Sequence, residues 1–161
     1  NASRETLDHS IMYIFAVALE DGSWHHIRSY TRARAKKKST IKIWRSIKTH
    51  EDKKWTKKYH NPNPKKKSFG AKVIVTLKNG QKVIEQQDRA DAHPYGSRPF
   101  KRQNYINKFL TLTENILDKK ESERFLRTVQ KLKKLKPGQL DKLNIEVRKN
   151  RLKKNPKKGI F

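Results

Sequence analysis

The amino-acid sequence predicts an α+β chain, and three observations predict it. A helix-spaced apolar stretch runs from Leu7 to Leu19, an alternating segment turns back on itself at Asn79-Gly80, and two amphipathic helices follow residue 100. The 161 residues suffice for a core, but only 33% of them are apolar, so the core must be modest.

Ser3 or Thr6 is placed to cap the first helix, with Glu5 and Asp8 in its opening turn, where the helix dipole favours negative charge. Leu7, Ile11, Ile14, Phe15, Ala18 and Leu19 then give it one broad apolar face, and Asp21-Gly22 ends it. A connector carrying Trp24, His25, His26, Ile27 and Tyr30 leads into a basic run over 32–38, read as a solvated loop or helix edge. Ile43, Trp44 and Ile47 place a short second helix over 39–47. The pattern breaks up from 48 to 67, and Asn61-Pro62-Asn63-Pro64 makes its end a loop.

The clearest local signal follows. Ala71, Val73, Val75 and Leu77 alternate with Lys72, Thr76 and Lys78, Asn79-Gly80 suits a type I′ turn, and the chain returns with Val83 and Ile84. Two strands alone are marginal, so this hairpin must join a larger sheet or lie on a helix, for which 7–19 is the candidate. A turn-rich loop covers 91–100. Ile106, Phe109, Leu110, Ile116 and Leu117 mark a third helix; Asp118 and Glu121 form a capping box that opens a fourth, with Phe125, Val129, Leu132 and Leu135. Pro137-Gly138 stops it, a small element covers 140–147, and a basic tail covers 148–161. The expected division is therefore 1–100, 101–147 and 148–161.

Lys and Arg total 41 against 15 acids, a formal net charge of +26 that would attract any polyanion. The lysines are spread through every kind of segment, which reads as compositional bias rather than one binding groove, so a nucleic-acid module is only a rival reading. Its best support is Trp55, Tyr59 and His60 among Lys53, Lys54, Lys57 and Lys58, an interleave able to stack bases. The preferred reading is an amphipathic turn with its rings packed inward. No cysteine is present, which excludes disulfides and thiolate metal sites within the chain. The adjacent His25-His26 lack metal-site spacing, and the scattered glycines form no phosphate loop, so neither metal nor nucleotide is expected. The run 11–19 is too short to span a bilayer and lacks the flanks of a signal peptide, so a cytoplasmic location without membrane partners is expected. The first residue is Asn1 rather than Met, and a piece of a longer protein is expected.

Two constellations suit chemistry. Asp8, His9 and Tyr13 come together if one helix runs through them, because 9 and 13 are one turn apart, and a His beside an acid can transfer protons. The plainer alternative is a helix-start His bonded to a neighbouring loop. His93 and Arg98 lie in the loop constrained by Pro94, Gly96 and Pro99, where the Arg fork suits a carboxylate. There the plainer alternative is a structural salt bridge.

At these residues the sequence resembles a known family. Asn1-Ala2-Ser3-Arg4-Glu5-Thr6-Leu7-Asp8-His9-Ser10-Ile11-Met12-Tyr13, Trp55-Thr56-Lys57-Lys58-Tyr59-His60, Ala92-His93-Pro94-Tyr95-Gly96-Ser97-Arg98-Pro99-Phe100 and Lys158-Gly159-Ile160-Phe161 look like the C-terminal third of the MmgE/PrpD family, nearest to its 2-methylcitrate-dehydrating members. The resemblance implies a longer protein with a large all-helical domain, a smaller α+β domain and an active site between them. This chain would supply the later part of the α+β domain, with helix, short helix and hairpin, and two closing helices that pack on the missing helical domain. The implied reaction is dehydration of 2-methylcitrate to 2-methyl-cis-aconitate in propionate catabolism by the methylcitrate cycle, without an iron-sulfur cluster or other cofactor. Most catalytic residues would lie upstream of Asn1, leaving little activity in this chain alone; His9, Tyr13, His93 and Arg98 are the residues expected to face the cleft. The implied partners are a small tricarboxylate substrate, the helical domain and a second copy in a homodimer. Decarboxylation or epimerisation of a related acid is the alternative within the fold, because fold does not fix chemistry.

Overall fold

A computed structural model describes residues 3–152; Asn1, Ala2 and the tail from 153 on, including the quoted stretch 158–161, lie outside the described residues. The chain is α+β, with several helices and one two-stranded antiparallel sheet, as the sequence predicts. It divides into two compact units. Of the described residues, the first unit takes 3–49, 115–121 and 144–152, and the second takes His50–Glu114 and Ser122–Leu143.

In the first unit the helix expected over 7–19 is two helices. Ser3 caps α1 (Arg4–Asp8), its hydroxyl accepting the Thr6 N–H at 3.2 Å. The chain then breaks at Ser10, which is extended (φ −93°, ψ 98°) and accepts the Tyr13 N–H at 3.2 Å, so that it caps α2 (Ile11–Asp21). A serine hydroxyl that takes this bond stabilises a fresh helix start over a continuous helix. Gly22 ends α2 in the left-handed region, φ 66°, as Asp21-Gly22 predicts.

The buried face of α2 is also not the expected one. Tyr13, Ala16 and Val17 are buried, whereas Ile11 and Leu19 are exposed. The stretch is apolar nearly all round, so spacing alone does not select a face. Tyr13 prevails because its hydroxyl finds a buried partner, donating to the Ser29 carbonyl at 2.6 Å. Leu7, Tyr13, Val17, Tyr30 and Ala35 form the core, with Trp44 packed on it edge-on to Tyr13, ring centroids 5.6 Å apart. The covering surface comes from the turn Arg28–Tyr30, α3 (Arg32–Ala35) and α4 (Lys38–Ser46).

The basic run is not all solvated. Arg34 grips the end of α2, donating to Asp21 Oδ2 at 2.8 Å, Asp21 Oδ1 at 3.0 Å and Glu20 Oε2 at 2.8 Å. Thr40 donates to Glu20 Oε2 at 2.5 Å, Ser39 also donates to Glu20, and Lys37 lies 3.0 Å from it. These bonds join α2, α3 and α4 at one corner.

In the second unit, the segment whose pattern broke up contains a helix, α5 (Lys53–Tyr59), capped by Asp52 through a 2.9 Å bond from the Lys54 N–H. The hairpin is present: β1 (Ala71–Thr76) pairs with β2 (Lys82–Gln87), with Val73 opposite Glu85 and Ile74 opposite Ile84. Its turn differs from the type I′ expected. Only Gly80 is left-handed, φ 82°, while Asn79 is not; Gly80 N–H bonds Leu77 O at 2.9 Å and Leu77 N–H bonds Gln81 O at 2.8 Å. That is a three-residue loop of the type I turn plus G1 bulge kind, which needs just one positive φ. On one strand face Val73 and Val75 are partly buried; on the other Ile74 and Ile84 are both 53% exposed.

The third helix, α6 (Arg102–Thr113), ends before Ile116 and Leu117, and the fourth, α7 (Lys119–Gln130), ends before Leu132 and Leu135. Asp118 caps α7 as predicted, accepting the Glu121 N–H at 3.0 Å. Within the second unit, α6 and the later part of α7 stack Phe109 on Phe125 at 5.1 Å and enclose an apolar groove of about 520 Å³.

Candidate functional site

The trio Asp8, His9 and Tyr13 depends on a continuous helix, and the break at Ser10 takes it apart. His9 ends α1 on the surface, its Nδ1 2.8 Å from the Glu5 carbonyl oxygen. A carbonyl only accepts, so this bond places the neutral ring's proton on Nδ1 and leaves Nε2 as the basic nitrogen. Tyr13 is fully buried, and that burial pushes its phenol above the usual range.

Asp8 turns instead toward Tyr30. Burial and then the nearby Asp8 carboxylate push that phenol up to about 12. Trp24 Nε1 donates to the same oxygen at 3.0 Å. Arg4 lies over the Tyr30 ring, 5.6 Å from its centroid, and donates to the His26 carbonyl at 2.6 Å. The arrangement holds the phenol neutral near a carboxylate.

In the second unit, His93 and Arg98 share the predicted loop with different partners. The backbone N–H of Tyr95 donates to His93 Nδ1 at 3.0 Å. Because an N–H only donates, Nδ1 carries the lone pair and the neutral ring holds its proton on Nε2, the reverse of His9. Arg98 forms a two-point pair with Asp91, Nε to Oδ1 at 3.1 Å and Nη2 to Oδ2 at 3.0 Å. The Arg fork thus meets a carboxylate, and that carboxylate is the protein's own. Gly96 is required where it stands: a Cβ there would lie 2.6 Å from the Ala90 carbonyl oxygen.

Two organising residues carried no signal in the sequence. Arg34 sits in a basic run, and only its mostly buried place against Glu20 and Asp21 distinguishes it. Arg89 follows β2 and donates to the carbonyls of Lys65, Lys67 and Tyr95, the last two at 3.2 and 3.3 Å, tying two loops to the hairpin. Beside it Asp88 pairs with Lys58, which holds its carboxyl below the usual range.

Among the described residues, no group of three or more His, Asp or Glu side chains is placed to hold a metal ion. No described helix is long and apolar enough to cross a membrane.

No solved structure matches the chain. The family model for the MmgE/PrpD C-terminal domain matches residues 1–134. Members of that family are generally enzymes of the lyase, dehydratase kind. The match takes in the helix break at Ser10, the hairpin, the His93 loop and the two later helices, and on it the chain belongs to the MmgE/PrpD family.

Proposed function

We propose that the chain is the C-terminal part of a lyase that dehydrates 2-methylcitrate to 2-methyl-cis-aconitate, the step used in propionate catabolism by the methylcitrate cycle. The observation that carries this reading is the family match over residues 1–134. Such a dehydration needs a base to take the proton beside a carboxylate, an acid to help the hydroxyl leave, and cations to hold the carboxylates.

The local chemistry supports parts of this. His9 offers a basic Nε2, because its Nδ1 is engaged with Glu5 O. His93 offers an Nε2–H donor, because its Nδ1 accepts from Tyr95. Arg98 recognises a carboxylate in two-point geometry with Asp91 and would exchange it for a substrate carboxylate. Tyr13, bonded to Ser29 O, contributes by fixing the start of α2 beside His9. The remaining groups belong to a preceding helical domain, and the apolar groove between α6 and α7 supports a helical partner for the closing helices. In the whole enzyme a second copy completes a homodimer.

The test follows the near-ultraviolet absorbance of the conjugated product. Residues 1–161 alone, and the same residues joined behind the helical domain of a family member, are each given 2-methylcitrate. Turnover is expected only in the joined protein, with at least a tenfold loss in kcat for His9→Ala or His93→Ala and little change in folding. An enzyme-like rate from 1–161 alone would defeat the assignment of catalysis to a preceding domain. Carbon dioxide release or epimer formation from a related acid, without the conjugated product, would move the reading to the other family reactions.

A further inference from the structure

Residues 53–84 contain ten lysines and no Asp or Glu. The rings within this acid-free stretch divide into two sets. Trp55 packs inward on Gly70 with Lys54 and Lys58 over its face, 5.3 and 4.8 Å from the ring centre. Tyr59 and Phe69 stay outside, 46% and 85% exposed, with their centroids 5.5 Å apart and Lys67 Nζ 5.3 Å from the Tyr59 ring.

The loop that presents them is built rather than loose. Asn61 Oδ1 accepts the Asn63 N–H and Asn63 Oδ1 accepts the Lys65 N–H, both at 2.9 Å. The N–H groups of Lys66 and Lys67 both bond Asn63 O at 2.9 Å, and Ser68 N–H bonds Lys58 O at 3.2 Å. Arg89 holds the carbonyls of Lys65 and Lys67 from the other side. Nearby carboxylates are already used: Asp88 by Lys58, Asp52 as the cap of α5, and Glu51 by the Thr56 hydroxyl at 3.0 Å. Among the described residues, none of Lys53, Lys54, Lys57, Lys65, Lys66 and Lys67 pairs with a carboxylate, and all six are exposed.

We infer that this surface of the second unit binds single-stranded nucleic acid, with Tyr59 and Phe69 stacking on bases and the flanking lysines neutralising phosphates. The charge fits any polyanion; the two outward rings select this one, because a single strand offers open base faces while a duplex hides them. An anionic membrane is less suited, since two adjacent rings are a narrow anchor beside the broad apolar face of an interfacial helix. The inference is independent of the lyase reading and stands or falls separately from it.

The experiment measures fluorescence anisotropy of a labelled oligo(dT) and oligo(rU) of about twelve nucleotides, a length within the usual site size. The full chain is used, against a duplex of equal length, inorganic polyphosphate, and phosphatidylserine vesicles. Tyr59→Ala with Phe69→Ala is expected to weaken single-strand binding by about tenfold or more, leaving polyphosphate binding unchanged. Phe69→Trp is expected to keep or raise single-strand affinity, which separates stacking from loss of fold. Lys65→Gln, Lys66→Gln and Lys67→Gln together should flatten the salt dependence by about two units of log–log slope. Equal losses for oligonucleotide and polyphosphate in the ring variant would overturn the inference, as would tighter binding to duplex or vesicles than to the single strands.

Discussion

The ring of Trp55 occupies the space where a side chain on Gly70 would stand, and it thereby locks α5 to the entrance of the hairpin. A Cβ built on Gly70 would collide with that ring and lie 2.7 Å from the Gln87 carbonyl oxygen, so both neighbours would have to move. Gly70→Ala should therefore lower the stability of the second unit by about 1–3 kcal/mol, the usual cost of overpacking. Chemical denaturation followed by Trp55 fluorescence, in a background with Trp24→Phe and Trp44→Phe, measures it. Pairing Gly70→Ala with Trp55→Leu should restore part of the loss; a neutral Gly70→Ala would show that the contact is not tight in solution.

The break between α1 and α2 rests on one hydroxyl. Ser10→Ala removes the acceptor of the Tyr13 N–H, and a lost N-cap costs about 1 kcal/mol. Ser10→Asp should hold most of the stability because its carboxylate can accept the same bond. If Ser10→Ala were more stable than the parent, the continuous helix expected from the apolar spacing would be the better description. The thermal midpoints of the three proteins decide the matter.

Ser10 also shows where the sequence was readable and where it was not. Caps with a fixed chemistry were legible: Ser3 and Asp118 accept the bonds their positions suggest, and Gly22 ends α2. The alternation over 71–84 marked the hairpin but not its turn, because Asn79-Gly80 suits a type I′ turn as well as a bulged loop in which Gly80 alone has a positive φ. The buried face of α2 was not legible, because apolar residues surround it and Tyr13 counts as core only once Ser29 O is known to sit above it. Helix α5 was hidden by its lysines, which carry no period, although Asp52 was available as a cap. His9 and His93 were legible as candidates, but their bonding depends on backbone groups that no side-chain pattern encodes.

The Glu20 corner predicts an acid-sensitive stability. Hydrogen bonds from Ser39 and Thr40, then Lys37 and Arg34, lower the Glu20 carboxyl from 4.5 to about 2. Its folded-state value lies below its unfolded value, so this group stabilises the fold above pH 4.5 and loses that contribution as pH falls toward 2. Glu20→Gln should cost about 1–2 kcal/mol at neutral pH, from the loss of charge-assisted bonds at a partly buried site. It should also flatten the stability profile in the acid window. Urea denaturation at stepped pH tests both, and a parallel profile for the variant would rule out Glu20 as the origin of any acid sensitivity.

The two candidate histidines should report opposite tautomers. His9 Nδ1 faces the Glu5 carbonyl, which requires a proton there, and His93 Nδ1 faces the Tyr95 N–H, which requires a lone pair. Long-range proton–nitrogen correlation spectra, taken at a pH where both rings are neutral, separate the two forms by their nitrogen shifts. His9→Gln and His93→Gln assign the signals. The expected result is a predominant Nδ1–H form for His9 and a predominant Nε2–H form for His93. Tyr95→Pro removes the N–H that fixes the second ring, and should bring the His93 population toward that of an unconstrained imidazole while leaving His9 unchanged. Finding His9 mainly as the Nε2–H form would remove the basic nitrogen on which its assignment as a proton acceptor depends, whatever the rest of the enzyme supplies.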